Sequence, residues 1–392
     1  MSSQRLQGGR APLRMLPPGL RTRVDRFADQ HQSWSVLVSV AIVGAILPLV
    51  ILVPPFNGFG TQSDFIDGFA NAGVFVLLAL GLNVVVGLAG LLDLGYAAFF
   101  AIGSYTYAFA ASPFSGNDFS FWPMLLIGAV VAAVFGVLLG APTLRLRGDY
   151  LAIVTLGFGE IVPVVFLNAD TYTNGTNGIS GIYQPSLPIY GSFGFGNPIP
   201  YYLTVLGIIT VVMILLYRLQ DSRLGRAWVA IREDELAAAS MGINTVTTKL
   251  LAFAIGASTA GLAGVFNASK LSIVSPDQFG FTVSFTVLAM VVLGGMGNIW
   301  GVAVGAFVLY EIQSVFLKQL TQFFQPLGIP ILSSIDFVQY QFLLYGLALV
   351  GMMLLRPEGL FPSRQRRREL HEAVEDEPNG GDGSIGAEPS QA

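Results

Sequence analysis

Three carboxylates stand inside otherwise uncharged apolar stretches: Asp93 in "GLLDLGYAAFF", Glu160 in "VTLGFGEIVPVV" and Glu311 in "VLYEIQS". Charge in such a setting is expensive and by default marks a transport path, a proton relay or a buried pairing. Asp93 lies between Gly90 and Gly95. It either caps a helix that restarts there or lines a polar pathway. Glu160 lies among Gly157, Gly159 and Pro163, the composition of a kinked helix with a buried carboxylate. Such a group forms a cavity wall or bonds a neighbouring helix. Glu311 reads as a snorkelling group near the outer surface.

Enzyme chemistry finds little support. A P-loop needs Gly-Lys followed by Ser or Thr, so that backbone amides and lysine cradle phosphate. Here Lys249 and Lys270 precede leucine and Lys318 precedes glutamine. There is no cysteine, and the two histidines, His31 and His371, lie outside the apolar runs. No Gly-x-Ser-x-Gly elbow occurs. No catalytic residue, metal ligand or resident cofactor is assigned.

A second constellation is polar and compact. "RAWVAIREDELAAASMGINTVTTKLLAF" (226–253) carries Arg226, Arg232, Glu233, Asp234, Glu235 and Lys249 between long apolar runs. Asp234 or Glu233 can cap a short helix with an acidic first turn. Ala237, Ala238 and Ala239 then present a small surface, and Gly242 can end the helix in a left-handed conformation. Asn244 or Thr245 can start the next helix. The expectation is a helix–Gly–helix knuckle; the alternative is a solvated loop.

The elements that must position these groups follow from composition. Of 392 residues, 53% are hydrophobic and 11% charged, against about 25% charged in soluble domains. Runs of about 20 apolar residues cross a bilayer as helix. Ten are expected, at 34–53, 66–87, 92–112, 122–141, 150–168, 200–218, 250–267, 280–297, 300–316 and 337–355. The first follows an Arg-rich arm, as a signal peptide would, but is longer than a signal core and lacks a small-residue cleavage site, so it reads as retained.

Six of the 20 basic residues lie in the arm, two at 145 and 147, five from Arg218 to Lys249 and five from Arg356 to Arg368. Ten spans with both termini in the cytoplasm place these 18 inside and only Lys270 and Lys318 outside, as the positive-inside rule requires. The expected organisation is a basic arm at 1–33, a membrane domain at 34–356 with its polar loop near 219–249, and a disordered tail at 357–392. The Gly-, Asn- and Tyr-rich segment 169–199 faces outside, as passive loop or as a platform for an external partner. Residues 84–105 and 291–312 share a Val pair, a Gly cluster, a polar break and a small-residue helix, the look of a parallel repeat or of Gly-rich packing.

Five blocks now carry a resemblance: 82–108, "LRLRGDYLAIVTLGFGEI" (144–161), "REDELAAASMGIN" (232–244), "VLGGMGNIWGVAVGAF" (292–307) and "LRPEGLFP" (355–362). Together, over 66–362, they resemble LivM-type permease subunits of branched-chain amino acid ABC importers. The resemblance implies an all-α inner-membrane permease, paired with a second, LivH-type permease subunit, two cytoplasmic ATPases that bind the ATP, and an extracytoplasmic solute-binding protein. It implies no nucleic-acid partner. Arg232, Glu233, Asp234, Glu235, Ala237, Ala238 and Gly242 would form the ATPase-coupling loop. The family's motif of Glu-Ala-Ala, three residues, then Gly is matched except that Leu236 stands at the glutamate position. Asp93, Glu160, Gly90, Gly95, Gly157 and Gly159 would line the path. Urea and short-amide permeases are close branches. A proton-coupled secondary transporter using Glu160 is the rival of another class.

Overall fold

The computed structural model describes residues 62–143, 149–187, 191–193, 198–318 and 339–355, together with Gly44, Thr321 and 359–361. The expected first span, the basic arm and the tail lie outside the described residues, Gly44 apart. Helices α1 (Gln62–Leu82), α2 (Ala97–Ala110), α3 (Phe121–Thr143), α4 (Asp149–Asn168) and α5 (Ile199–Gln220) are followed by two short ones, α6 (Arg223–Glu233) and α7 (Glu235–Ser240). Then come α8 (Thr245–Leu271), α9 (Phe281–Gly294), α10 (Ile299–Glu311) and α11 (Gln341–Leu355). Apolar runs form helices because hydrocarbon offers the backbone no hydrogen-bond partner.

Among the described residues, six helical stretches are long and apolar enough to cross a bilayer: Phe65–Leu88, Phe121–Thr143, Tyr150–Asn168, Ile199–Gln220, Thr245–Leu271 and Pro276–Gly294. Three shorter apolar helices, Ala97–Ala110, Ile299–Ser314 and Gln341–Met352, occupy the other expected places after the first. Three boundaries differ from expectation. The stretch expected to span from 92 begins only at Ala97, because 89–96 is irregular. Helix α8 starts at Thr245, where the Asn244 side chain accepts from Thr247 N at 3.1 Å. Helix α9 ends at Gly294, before a break at 295–298 that Asn298 closes by capping α10 at Gly301 N.

Within the core, the contact of α8 with its neighbours is a seam of small residues. Helix α8 packs along α2 and α3. A side chain at Gly261 would meet Gly128 O at 2.5 Å and Ala132 Cβ at 2.7 Å, and one at Gly136 would meet Ala257 Cβ at 2.7 Å. From α2, Ser104 Oγ donates to Gly264 O at 3.1 Å. Without a hydrophobic drive between helices in lipid, such close backbone approach supplies the attraction.

Helices run between a knuckle end, where α6 and α7 lie, and a far end. Lys249 and Lys270 are separated along α8 by 21 residues, roughly 30 Å, and belong to opposite ends. At the far end the described parts of the Gly/Asn-rich segment are folded. Its strand β1 (Ile179–Ser180) pairs antiparallel with β4 (Ile273–Val274), in the register Ile179 to Val274, and β2 (Ser186–Leu187) pairs with β3 (Gly191–Ser192). Ile179, Ile182 and Phe193 are buried. Tyr107 donates through its hydroxyl to Tyr183 O at 2.8 Å.

Far-end charge is also built in. Lys270 Nζ lies 2.8 Å from Asp67 Oδ1 and 2.6 Å from Asn71 Oδ1, tying α8 to α1. The lysine side chain is 5% exposed and the aspartate 51%. The two partners are therefore unequal. Asp67→Ala strands a buried ammonium and is expected to cost on the order of 3 kcal/mol, whereas Lys270→Met leaves a carboxylate that water can reach and costs less. Thermal unfolding of both variants in detergent checks this: the Asp67 variant should melt at the lower temperature. Glu311 does not snorkel as expected. Its Oε1 is buried and unpartnered, near Gly68 of α1.

Candidate functional site

The knuckle forms as its sequence suggests. Ser222 caps α6 by accepting from Leu224 N and Gly225 N. Asp234 ends α6 and caps α7, its carboxylate accepting from Leu236 N at 2.8 Å and Ala237 N at 3.0 Å. Gly242 takes φ +85°, and Ile243 N donates to Ala238 O at 3.1 Å, a left-handed stop. Trp228, fully buried, donates from its indole to Thr248 O at 2.7 Å and so fixes α6 to α8.

Two side chains depart from the expected docking face. Ala238 is 4% exposed and turned into the chain. With Ala237 and Gly242 outside and Ala238 beneath, the outward surface is instead made by Leu236, 67% exposed, and Met241, 85% exposed. Glu235 is held by Lys249 of α8 at 2.6 Å, so the displaced glutamate serves the knuckle itself. Glu233 stays exposed.

Arg232 points inward rather than outward. Its Nη1 donates to Gly87 O at 2.7 Å, and its stem lies against Gly90, where a Cβ would meet Arg232 Cγ at 2.7 Å. Both glycines belong to the interruption that follows α1, a π-helical turn at Asn83–Leu88 and the irregular stretch 89–96. Gly90 has φ +70°, a conformation that favours glycine. The break of α9–α10 packs on the same place: Gly297 N donates to Asn83 Oδ1 at 2.8 Å. The two stretches that look alike in sequence thus share helix–break–helix form, and their breaks touch. Leu360 and Phe361 complete this corner, with Leu360 N donating to Leu293 O at 3.0 Å and Asn298 Nδ2 to Phe361 O at 2.9 Å.

Within the first break, Asp93 is 1% exposed. Its Oδ1 accepts from Gly95 N at 2.9 Å, while Oδ2 is buried without a partner. The helix N-cap itself is Tyr96, whose side chain makes no capping bond, so Asp93 braces the turn before the helix rather than capping α2. The first free amide of α2, Ala97 N, donates to Ser284 Oγ of α9 at 2.9 Å. Leu94 N donates to Thr155 Oγ1 of α4 at 3.1 Å. Asp93 lines a cavity of about 390 Å³ with Thr143, Thr155, Gly157, Phe158, Ile161 and Phe253, among others.

The six path candidates therefore separate. Asp93 and Gly157 meet at one cavity. Gly95 and Gly159 pack on each other instead, since a Cβ at Gly159 would meet Gly95 Cα at 2.8 Å. Gly90 is covered by Arg232. Glu160 is not a buried cavity wall: it is exposed, and its carboxylate accepts from Phe281 N at 3.1 Å, at the start of α9. A carboxylate there complements the helix dipole, so this N-terminus is already occupied by the chain's own anion. Thr155, Phe158 and Ile161 were not singled out by sequence. For Phe158 and Ile161 a signal is present, because Val154, Gly157, Phe158 and Ile161 repeat at i, i+3, i+4 and i+7, one helix face.

The profile of the family described as branched-chain amino acid transport system / permease component matches residues 65–355. The chain belongs to this permease family. The permease is 40% identical over 347 residues to the high-affinity branched-chain amino acid transport system permease protein LivM of Escherichia coli K12, covering 83% of this chain and 76% of that protein. It is 29% identical over 256 residues to the LivH permease protein of Salmonella typhimurium, covering 62% and 82%. A ribose import permease, RbsC of Escherichia coli K12, is 26% identical over 291 residues, covering 72% and 83%. No solved structure matches the permease. It is a polytopic, all-α transport protein of the membrane, with four two-residue strands among the described residues.

Proposed function

We propose that this permease carries branched-chain amino acids across the plasma membrane by alternating access, as one of two permease subunits in an importer driven by partner ATPases. The other subunit would be LivH-like, and an extracytoplasmic binding protein would deliver substrate to the far end. The knuckle end would be cytoplasmic, with α7, Leu236 and Met241 seated on an ATPase. Resemblance to LivM supports the substrate class. The observation that carries the ATP-driven reading is the Arg232–Gly87 contact, which joins the knuckle to an interrupted helix near the Asp93 cavity.

Reconstitution decides it. The chain alone in proteoliposomes should neither hydrolyse ATP nor accumulate leucine. With the second permease, the ATPases and the binding protein, it should accumulate leucine, isoleucine and valine on ATP addition, and not urea. Leucine uptake by the single subunit on a proton gradient, lost in Glu160→Gln, would establish the secondary-transporter reading instead.

A further inference from the structure

We infer that Asp93 and the cavity beside it form a subsite for the ammonium group and hydrocarbon side chain of an aliphatic amino acid. This deepens the proposed function and rests on it. A buried carboxylate oxygen without a hydrogen-bond partner is costly, and a native chain retains one where something else completes it. Asp93 Oδ2 is such an atom. Its sister oxygen is committed to Gly95 N, which holds the carboxylate in place.

The cavity defines what the missing partner is. Phe99, Leu139, Val154, Phe158, Ile161 and Phe253 give it apolar walls. Its volume, about 390 Å³, falls among those of small-ligand pockets. Apart from Asp93, the polar side chains lining it among the described residues are Thr143 and Thr155, and both hydroxyls have backbone acceptors. Thr143 Oγ1 donates to Leu139 O at 2.9 Å and Thr155 Oγ1 to Ala152 O at 3.1 Å. Among the described residues, the lining side chains therefore offer acceptors and one carboxyl group, and none of them is a cation. An anion or a neutral amide's carbonyl finds no free side-chain donor among these described residues. An ammonium brings three donors and no acceptor, and a branched aliphatic chain suits the walls. The substrate's own carboxylate must then be met outside this subsite.

Asp93→Asn tests the assignment cleanly. The amide oxygen can still accept from Gly95 N, so the turn survives, while Oδ2 becomes a donor facing an ammonium. In the fully assembled transporter, leucine uptake is expected to fall by about tenfold or more, the loss of one charge-assisted bond, with the subunits still co-purifying. A second variant fills the space without touching the carboxylate. A side chain at Gly157 has no atom within 4 Å of its Cβ, so Gly157→Leu should fold and block uptake to a similar degree. Wild-type uptake in either assembled variant overturns the subsite. So does loss of co-purification in Asp93→Asn, which would make Asp93 a contact to the partner permease. If the wild-type assembly imports no leucine, isoleucine or valine, the proposed function fails; if it imports them and the variants do too, only the subsite fails.

Discussion

Met241→Asp is expected to abolish amino acid uptake while leaving the chain folded and inserted. Met241 is 85% exposed at the end of α7, and Leu236 is 67% exposed one turn away. The helix beneath them is held by contacts that neither residue's side chain makes: Asp234 at its start, Gly242 at its stop, and the Glu235–Lys249 pair beside it. A substitution at so exposed a position should change stability by no more than about 0.5 kcal/mol. In a socket on an ATPase the same aspartate would bury an unpaired charge, costing several kcal/mol even after relaxation. Each 1.4 kcal/mol is tenfold in affinity, so ATPase capture should fall by about a hundredfold or more. Co-purification of the ATPases and substrate-stimulated hydrolysis measure this, and Leu236→Asp should behave alike. Normal uptake in both variants would return the knuckle to the status of a solvated loop. Ala238→Arg would be a poor probe, because Ala238 is buried and the variant would disrupt α7 itself.

What could be read in the sequence was local or compositional. Run length and hydropathy locate the described spans because a bilayer imposes both on each helix separately. The knuckle was legible too: Asp234, Gly242 and Asn244 act on amides within a few residues of themselves. The interruption near Asp93 was signalled by Gly90 and Gly95 for the same reason. The illegible part consists of contacts between distant segments. Nothing near Glu160 indicates that it reaches Phe281, 121 residues on, and nothing near Gly95 shows that Gly159 closes on it. Glycine pairs that line a path and glycine pairs that pack have the same spacing. Only the facing helix distinguishes them. Arg232 carries the same lesson, since an arginine in a polar loop reads as an outward charge, yet this one turns back onto Gly87.

That inward turn supports the second large effect, an uncoupled transporter from Arg232→Ala. Arg232 sits in the last turn of α6, two residues before Asp234, the cap of α7. A displacement of α7 by the proposed ATPase would reach Arg232 through α6 and the cap, since Trp228 anchors α6 to α8 and Asp234 is shared by α6 and α7. From Arg232 it passes to Gly87 O and to the backbone at Gly90, six and three residues from Asp93. A hydrogen bond from a charged donor contributes about 1.5–3 kcal/mol, which corresponds to a coupling of roughly ten- to a hundredfold between the two ends. Arg232→Ala should thus retain the ATPases, because Leu236 and Met241 are untouched, and should lose uptake by that factor while hydrolysis continues. Gly90→Ala approaches the same contact from the other side. Its methyl would press on Arg232 Cγ, and its φ of +70° costs a residue with a side chain about 1–2 kcal/mol. Two changes on two segments giving one phenotype, hydrolysis without transport, would locate the transmission at this contact. Loss of ATPase binding in Arg232→Ala would instead put the arginine in the docking surface, and unchanged uptake in both variants would remove it from coupling altogether.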